Sequence, residues 1–411
     1  MKNNTRNKYV KLKDIIEFNP KESIRKGRIS KKIAMDKLLP FTKKIIGYEL
    51  TEFTGGSKFR NGDTLLARIT PCLENGKTAL VNILDEEEIG FGSTEFIVLR
   101  SIKNTTDKDW LFYLSISPSF RDIVIKSMTG TTGRQRAQED IIKNLEISLP
   151  PLAEQKRIAE ILSSLDDKIE LNERMNKNLE EQAQALFKHW FVDFEFPDDE
   201  GKPYKSNGGD LVESELGLIP RGWRVGTLED ICLIKNGFAF KSEEYRENGR
   251  KVVRTKNFNN GYVEDNDNVY ISVESEEKYS QYLLMKKDFL LVMVGASIGN
   301  FVVVTEDVLP ALQNQNMWNF RSKNISQEFL NYALLDVVKS NIGQASGSAR
   351  EFFQKRTFYK IKILIPHNSA VEKFSKIIND NYSIITNIRR ETQNLKKLRD
   401  TLLPRLMSGE V

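Results

Sequence analysis

Residues 150–190 read PPLAEQKRIAEILSSLDDKIELNERMNKNLEEQAQALFKHW, a segment with no glycine and with proline only at its start. Proline disfavours helix in the residue before it, so the two prolines separate this segment from the extended run that precedes it. Apolar side chains then recur mostly at intervals of three and four residues, the period of one helix face. The spacing predicts one long helix with an apolar seam, interrupted by Asn172 and Asn176.

A second segment with the same pattern closes the chain. Pro366 ends an extended run, and apolar residues again recur at helical spacing as far as Leu402, with Asn381 interrupting the seam. The two patterns are offset by 216 residues, so Pro150 corresponds to Pro366 and Leu186 to Leu402. The predicted seam residues are Ile158, Leu162, Ile169, Asn172, Asn176, Leu179, Leu186, Phe374, Ile378, Asn381, Ile385, Leu395 and Leu402.

The sequence outside the two helices also repeats. Leu12 corresponds to Leu228 at the same offset of 216, and residues 96–100 correspond to residues 317–321 at an offset of 221. Short β-type runs alternate with turn residues in both copies. We predict an α+β fold: a tandem repeat of two mixed α/β bodies, each followed by a long helix, with the two helices packing as an antiparallel coiled coil. Packing of the seams on the bodies, or an intermolecular coiled coil, is the alternative.

These patterns divide the chain into five segments. Residues 1–150 and 223–366 are the two bodies, and residues 151–196 and 367–411 are the two long helices. Residues 197–222 are acidic and then rich in glycine and proline, which is typical of a linker.

The composition excludes several classes of protein. The 411 residues include two cysteines, Cys72 and Cys232, and two histidines, so a disulfide framework and a cysteine-rich zinc site are excluded. No apolar run approaches the roughly 20 residues that a membrane span requires. The polar N-terminus leads into no apolar segment, so no secretory signal is expected. We therefore expect a cytoplasmic protein without a membrane partner.

Three catalytic motifs were tested and none fits. Residues 73–78 read LENGKT, but Pro71 stands where a phosphate-binding loop requires glycine. Residues 295–299 lack the third glycine of a dinucleotide-binding fingerprint. The one Pro-Pro pair lies in LPPL, so the Asp/Asn-Pro-Pro-aromatic tetrad of base-amino methyltransferases is absent. The sequence therefore favours a binding protein over an enzyme.

The charge distribution and the repeat both favour DNA as the ligand. Residues 1–150 contain 26 Lys and Arg against 19 Asp and Glu, a surplus that suits a phosphate backbone but is also common on ordinary surfaces. Two similar bodies held by a rod of fixed length suit two half-sites on one face of a duplex, which repeats every ~34 Å.

Four stretches carry a resemblance to a known family. They are residues 147–159 (ISLPPLAEQKRIA), 184–194 (QALFKHWFVDF), 213–223 (ESELGLIPRGW) and 402–409 (LLPRLMSG). In these motifs and in domain order the chain resembles the DNA specificity subunits of type I restriction–modification systems. It departs from the pattern at residues 366–368, where the second repeat lacks the Pro-Leu-x-Glu-Gln run.

The resemblance implies a non-catalytic role in a larger complex. The two bodies would be target recognition domains, each reading one half of a bipartite, asymmetric sequence in double-stranded DNA. The helices would fix the spacer and dock two modification subunits, which bind S-adenosylmethionine and methylate adenine. A restriction subunit would supply ATP-driven, Mg-dependent translocation and cleavage, and this chain itself would bind no cofactor and no metal.

Base reading requires side chains with paired donors and acceptors, such as Arg, Asn and Gln. The loop of residues 129–136 (TGTTGRQR) offers such side chains, and residues 344–350 (QASGSAR) take the same place in the second body. Basic residues near the N-terminus are candidates for phosphate contacts. The predicted DNA-binding residues are Thr131, Arg134, Gln135, Arg136, Gln344, Ser346, Ser348, Arg350, Lys11, Lys13, Arg25 and Arg28. An ordinary solvated surface loop is the alternative.

Residues 92–95 and 313–316 form a second equivalent pair of polar loops. We interpret their polar groups as partners for buried backbone between strands, with base contacts as the alternative. At the level of function, one alternative is a coiled-coil adaptor whose two bodies bind proteins. Another is a self-contained methyltransferase, which the absence of a cofactor loop argues against.

Overall fold

The computed structural model describes residues 8–275, 277–295, 297–342 and 354–410. The chain divides into two compact units, of which the first comprises residues 1–172 and 392–411 and the second residues 173–391. Each unit therefore contains one body together with a segment of each long helix.

The secondary structure of the first unit is as follows. Its strands are β1 (Lys8–Lys11), β2 (Ile16–Phe18), β3 (Ile29–Ile33), β4 (Glu49–Glu52), β5 (Ser57–Phe59), β6 (Thr64–Ala67), β7 (Thr78–Leu80), β8 (Gly90–Gly92), β9 (Phe96–Ser101) and β10 (Glu146–Leu149). Its helices are α1 (Lys108–Ile116), α2 (Pro118–Lys126), α3 (Glu139–Lys143), the first part of α4 (Leu152–Phe187) and the end of the last long helix of the chain (Asn368–Ser408).

Two sheets form the first body. Strands β2, β9, β6 and β7 make an antiparallel sheet in that order, and strands β4, β3, β8 and β5 make a second sheet in which β3 and β8 run parallel. Strand β1 pairs antiparallel with β10, joining Lys8 to Leu149, so the two ends of the body lie side by side. Helix α1 is almost wholly buried among these elements, and Trp110 and Phe112 have 1% and 0% of their surface exposed.

The second unit contains the remaining elements. Its strands are β11 (Leu211–Ser214), β12 (Gly217–Pro220), β13 (Arg224–Thr227), β14 (Cys232–Asn236), β15 (Arg250–Val253), β16 (Phe258–Asn259), β17 (Tyr262–Val263), β18 (Val269–Ile271), β19 (Phe289–Val292), β20 (Phe301–Val303), β21 (Ala311–Gln313), β22 (Met317–Ser322) and β23 (Lys362–Ile365). Its helices are the end of α4, α5 (Leu228–Ile231), α6 (Gln327–Ile342), α7 (Lys355–Tyr359) and the first part of α8 (Asn368–Ser408).

The second body repeats the topology of the first. Strands β14, β22, β19 and β20 form an antiparallel sheet whose order reproduces β2, β9, β6 and β7. Strand β15 pairs parallel with β21 as β3 does with β8, and β13 pairs with β23 as β1 does with β10. The predicted tandem repeat of two mixed α/β bodies is confirmed.

A buried arginine–aspartate pair occurs at equivalent positions of the two bodies. Arg100 donates from Nε and Nη2 to the two carboxylate oxygens of Asp63 at 2.7 Å each. Arg321 donates to Asp288 in the same way, at 2.8 and 2.7 Å. Each aspartate also accepts a hydrogen bond from the backbone N–H three residues earlier. The pair therefore ties the turn before one strand of the sheet to the neighbouring strand in both bodies.

Gln155 fixes the start of α4 on the first body. Its buried side chain accepts from the backbone N–H of Asp107 at 2.9 Å and donates to the carbonyls of Thr105 and Pro150 at 3.0 and 2.9 Å. In the second repeat Val371 stands at the corresponding position. The second repeat therefore lacks the glutamine whose hydrogen bonds join the long helix to the body in the first repeat.

In the first unit the beginning of α4 and the end of α8 run antiparallel. Arg399 donates to Asp166 at 2.9 Å, and Tyr113 of the first body donates to the same carboxylate at 2.7 Å. Residues earlier in α4 share the core with residues later in α8, which is the order expected for antiparallel helices. The residues that share this core are Ile158, Leu162, Leu403 and Leu406.

In the second unit the end of α4 packs against the beginning of α8, again antiparallel. The ring centroids of Phe187 and Phe374 are 5.9 Å apart. The guanidinium of Arg389 on α8 lies 4.1 Å from the ring centroid of Tyr262 and donates to the carbonyl of Val263 at 3.1 Å. Helix α8 thereby holds the β16–β17 hairpin of the second body.

The predicted seam residues are all withdrawn from solvent to some degree. The buried members are Ile158, Leu162, Ile169, Asn172, Phe374, Ile378 and Ile385. The half-buried members are Asn176, Leu179, Leu186, Asn381, Leu395 and Leu402.

The segment predicted as a linker, residues 197–222, contains regular structure. Strands β11 and β12 form a hairpin there, and Ile219 is buried in the same core as Phe196 and Trp223. The stacked rings of Phe196 and Trp223 have centroids 4.8 Å apart. The aromatic residues that flank the glycine-rich stretch therefore hold this segment on the second unit.

The arginine–aspartate pair of the first body allows a test of how much the pair contributes to stability. Asp63→Asn removes the bidentate carboxylate from Arg100, which keeps its contact with Glu22 at 2.8 Å, so we expect the free energy of unfolding to fall by about 2 kcal/mol. The measurement is urea unfolding of the whole chain. Asp36→Asn is the matched control, because its carboxylate is 70% exposed and its ion pair is with the neighbouring Lys37. An equal effect of both substitutions would contradict a special role for the buried pair.

Candidate nucleic-acid interface

The loop of residues 129–136 in the first body is closed by backbone hydrogen bonds. The N–H of Arg136 donates to the carbonyl of Thr129 at 2.9 Å, and the N–H of Thr129 donates back to Arg136 at 3.1 Å. Between them the N–H of Arg134 donates to the carbonyl of Thr131 at 2.9 Å, which forms a turn. Gly133 in this turn has a φ of +80°, a conformation that other residues rarely adopt. The loop is therefore a short, ordered projection.

The C-terminal end of this loop is tied to the segment that follows β6. The N–H of Ala137 donates to the carbonyl of Arg68 at 2.8 Å, and the N–H of Thr70 donates to the carbonyl of Gln135 at 3.0 Å. The N–H of Arg68 donates in turn to the carbonyl of Glu95 at 3.0 Å. Three chain segments thus meet at one place on the surface of the first body.

The side chains at this place form a cluster of two arginines around one glutamate. Arg136 donates from Nε and Nη2 to the carboxylate of Glu95 at distances of 2.7–3.1 Å, and Arg68 donates from Nε to the same carboxylate at 3.1 Å. The side chain of Arg136 is 44% exposed and that of Arg68 is 34% exposed. We call these three residues the Arg-Glu-Arg cluster.

The arginines change the acidity of the carboxylate between them. The hydrogen bonds from Arg136 are the largest cause of a lowered pKa at Glu95, partial burial opposes them, and Arg68 adds to them. Glu95 therefore remains ionised below the ordinary glutamate pKa of 4.5 and holds both guanidinium groups near neutral pH.

The other predicted DNA-binding residues of the first body fall in three places. Thr131 and Arg134 are exposed and Gln135 is half-buried, all in the loop of the cluster. Arg25 and Arg28 are exposed on one turn, closed by a backbone hydrogen bond of 3.0 Å, beside β4. Lys11 lies in β1, and Lys13 donates to the side chain of Asn144 at 3.0 Å near the start of β10. Among the described residues, no hydrogen bond joins these three places to one another.

The predicted loop of the second body lies outside the described residues. This applies to Gln344, Ser346, Ser348 and Arg350. The second polar loop, residues 313–316, is described. Gln313 is 2% exposed and donates to the backbone carbonyl of Met317 at 3.0 Å, so it satisfies buried backbone.

Sequence reasoning did not single out Arg68. Strand β6 ends at Ala67. Arg68 is therefore the first residue beyond the strand, where its side chain is free to turn toward Glu95. In the sequence, Arg68 could have been identified as a charged residue that directly follows the apolar residues 65–67.

Two further features bear on the chemistry of this chain. None of the helices within the described residues combines the length and the apolar character of a membrane span. Within those same residues, His, Cys, Asp and Glu side chains form no group of three that could hold a metal ion.

Known proteins resemble this chain along most of its length. The family model described as the type I restriction modification DNA specificity domain matches residues 4–181 and 220–397, so the second match begins 216 residues after the first. The chain is 27% identical to the specificity subunit of the type I restriction enzyme MjaVIII from Methanocaldococcus jannaschii, across 78% of this chain and 74% of that protein. It is 26% identical to the specificity subunit of the type I restriction enzyme HindI from Haemophilus influenzae, across 86% and 87%.

A solved structure shares the fold. The crystal structure of the type I restriction–modification system S subunit from M. genitalium matches with a TM-score of 0.58 at 17% identity, covering 99% of this chain and 97% of that one. The similarity extends over both repeats and both long helices.

The Arg-Glu-Arg cluster predicts a dependence of stability on pH. Because the pKa of Glu95 is lowered on folding, the pair with Arg136 stabilises the fold above pH 4.5 and loses this effect as the pH falls through the lowered value. We expect the loss of stability in Arg136→Ala to be constant above about pH 5 and to shrink in more acid solution. Urea midpoints measured between pH 3 and pH 7 check this, with Arg134→Ala from the same loop as control. A difference that stays constant down to pH 3 would contradict it.

Proposed function

The chain belongs to the type I restriction modification DNA specificity family, and from this premise we propose that each of its bodies reads one half of a bipartite, asymmetric target in double-stranded DNA. The observation that carries the proposal is the tandem repeat itself. Two bodies of one topology, each matched by the same family model, suit two half-sites. The residues at equivalent exposed positions differ between the bodies, as they would if the two half-sites differ in sequence.

We propose further that the long helices fix the spacer between the half-sites and dock two modification subunits. Helix α4 spans 36 residues and α8 spans 41, and each contributes residues to both compact units. The thirteen predicted seam residues are the proposed contacts that hold the pair in register. Polar members of a seam, such as Asn172 and Asn381, favour one register at a cost in stability.

In this proposal the chain supplies recognition and the chemistry belongs to its partners. The modification subunits would bind S-adenosylmethionine and methylate adenine, and a restriction subunit would use ATP and Mg for translocation and cleavage. This chain would act in the cytoplasm without a cofactor of its own. The family relationship and the failure of the catalytic motifs tested above both support this division of labour.

Phosphate contacts are proposed for the basic residues outside the Arg-Glu-Arg cluster. Lys11, Lys13, Arg25 and Arg28 would position the body on the duplex without reading sequence. Exposed lysine and arginine side chains suit this role because the affinity that they supply comes from the release of counterions.

The proposed function predicts the outcome of methylation mapping. We expect the complex of this chain with its modification subunits, supplied with S-adenosylmethionine, to methylate adenine in a two-part motif with a fixed gap. Replacing residues 1–150 by the corresponding body of another family member should change one half of the motif and leave the other half and the gap unchanged. Sequencing that detects modified adenine provides the measurement.

Two results would count against this proposal. A short continuous motif would contradict the assignment of one half-site to each body. An absence of methylation, together with DNA binding that depends on neither sequence nor salt, would favour an adaptor whose bodies bind proteins.

A further inference from the structure

The Arg-Glu-Arg cluster belongs to the first body alone. Strands β6 and β19 correspond, as do β9 and β22, so Arg68 corresponds to Met293 and Glu95 to Asn316. The backbone confirms this alignment: the N–H of Arg68 donates to the carbonyl of Glu95 at 3.0 Å, and the N–H of Met293 donates to Asn316 at 3.1 Å. The equivalent backbone positions are therefore occupied by two charged residues in the first body and by two uncharged residues in the second.

The carboxylate occupies only one edge of each guanidinium. Arg136 uses Nε and Nη2 and Arg68 uses Nε toward Glu95, whereas neither Nη1 has a hydrogen-bond partner among the described residues. A guanidinium has five N–H donors in a fixed plane. The contact with Glu95 therefore fixes the orientation of the Arg136 guanidinium. The N–H groups on the edge that faces away from Glu95 remain available as donors.

We propose that Glu95 is a positioning residue that holds Arg136 for bidentate donation to O6 and N7 of one guanine in the half-site of the first body, with Arg68 bracing the carboxylate from the other side. This inference rests on the proposed function. Guanine presents two acceptors on one edge in the major groove, and paired arginine donors match that edge. Ordering a long side chain before binding removes an entropic cost that would otherwise oppose recognition.

The charge of the cluster favours a base over a phosphate. Glu95 lowers the net charge of the two arginines from +2 to +1, which weakens the attraction to a charged phosphate more than the hydrogen bonding to the neutral acceptors of a base edge. A phosphate-binding arginine needs no such partner. The bidentate Glu95–Arg136 contact instead restricts the direction in which the guanidinium points, which is what base reading requires.

The test is methylation mapping with the assembled complex. Arg136→Lys keeps the charge and removes the planar pair of donors, so the preference for one guanine should fall roughly 5- to 150-fold at one position of one half-site. Glu95→Gln removes the anchor and should relax the same position by a smaller factor. The half-site of the second body serves as an internal control and should be unchanged in both variants. Glu86→Gln, an exposed carboxylate in the same body, is the matched external control.

A double variant keeps the test decisive if a single substitution prevents assembly. Arg68→Met with Glu95→Asn installs the residues that the second body carries at the equivalent positions, so the frame accommodates them. We expect this variant to assemble and to relax the same guanine.

The possible results distinguish a failure of this inference from a failure of the proposed function. A uniform fall in methylation at all sites, with unchanged base preference, would show a phosphate contact and overturn the inference. So would unchanged preference at every position, or a change in the half-site of the second body. If the unaltered complex yields no two-part motif, the proposed function itself fails and the inference falls with it.

Discussion

Burial of the apolar stripes of α4 and α8 is the interaction on which both units depend. Each stripe is long, and its parts are buried in different cores: Ile158 of α4 lies in the first unit and Phe187 in the second. Leu406, close to the end of the chain, shares a core with Leu12, close to its beginning. At about 25 cal/mol per Å² of apolar surface removed from water, several such side chains outweigh any single polar contact described above. The first unit therefore completes its core only with residues from the far end of the chain, whereas the core of the second unit lies within one continuous segment, residues 173–391.

The sequence predicted this arrangement because its signals are periodic. Heptad spacing in α4 and α8 and the constant offset of 216 residues depend on residue type alone, and both appear in the structure. Helices α2 and α3 and the β11–β12 hairpin were not foreseen, because short elements carry few residues per period and take their stability from neighbours. Ile219 illustrates this, since its burial depends on aromatic rings from both sides of the glycine-rich stretch.

The candidate site was predicted in part, for a related reason. Glycine spacing and the Arg-Gln-Arg run pointed to the loop of residues 129–136, but the partner of Arg136 lies 41 residues earlier in the chain. Arg68, 27 residues before Glu95, joins only through tertiary contact. One sequence exposes donors and acceptors but not which of them face each other. Backbone hydrogen bonds tie the loop to Arg68 and Thr70, and residue type does not reveal such bonds.

The two bodies share their arginine–aspartate pairs and differ at exposed positions. The arginine–aspartate pairs recur with the same atoms in both bodies, and their aspartates are 1% and 3% exposed. Arg136, by contrast, is 44% exposed, and the positions of Arg68 and Glu95 carry different residues in the second body. Exposed substitutions usually change the free energy of unfolding by less than about 0.5 kcal/mol, whereas breaking a buried pair costs several times more. A chain built in this way can change the exposed residues at the ends of its strands while the buried residues that hold those ends stay the same.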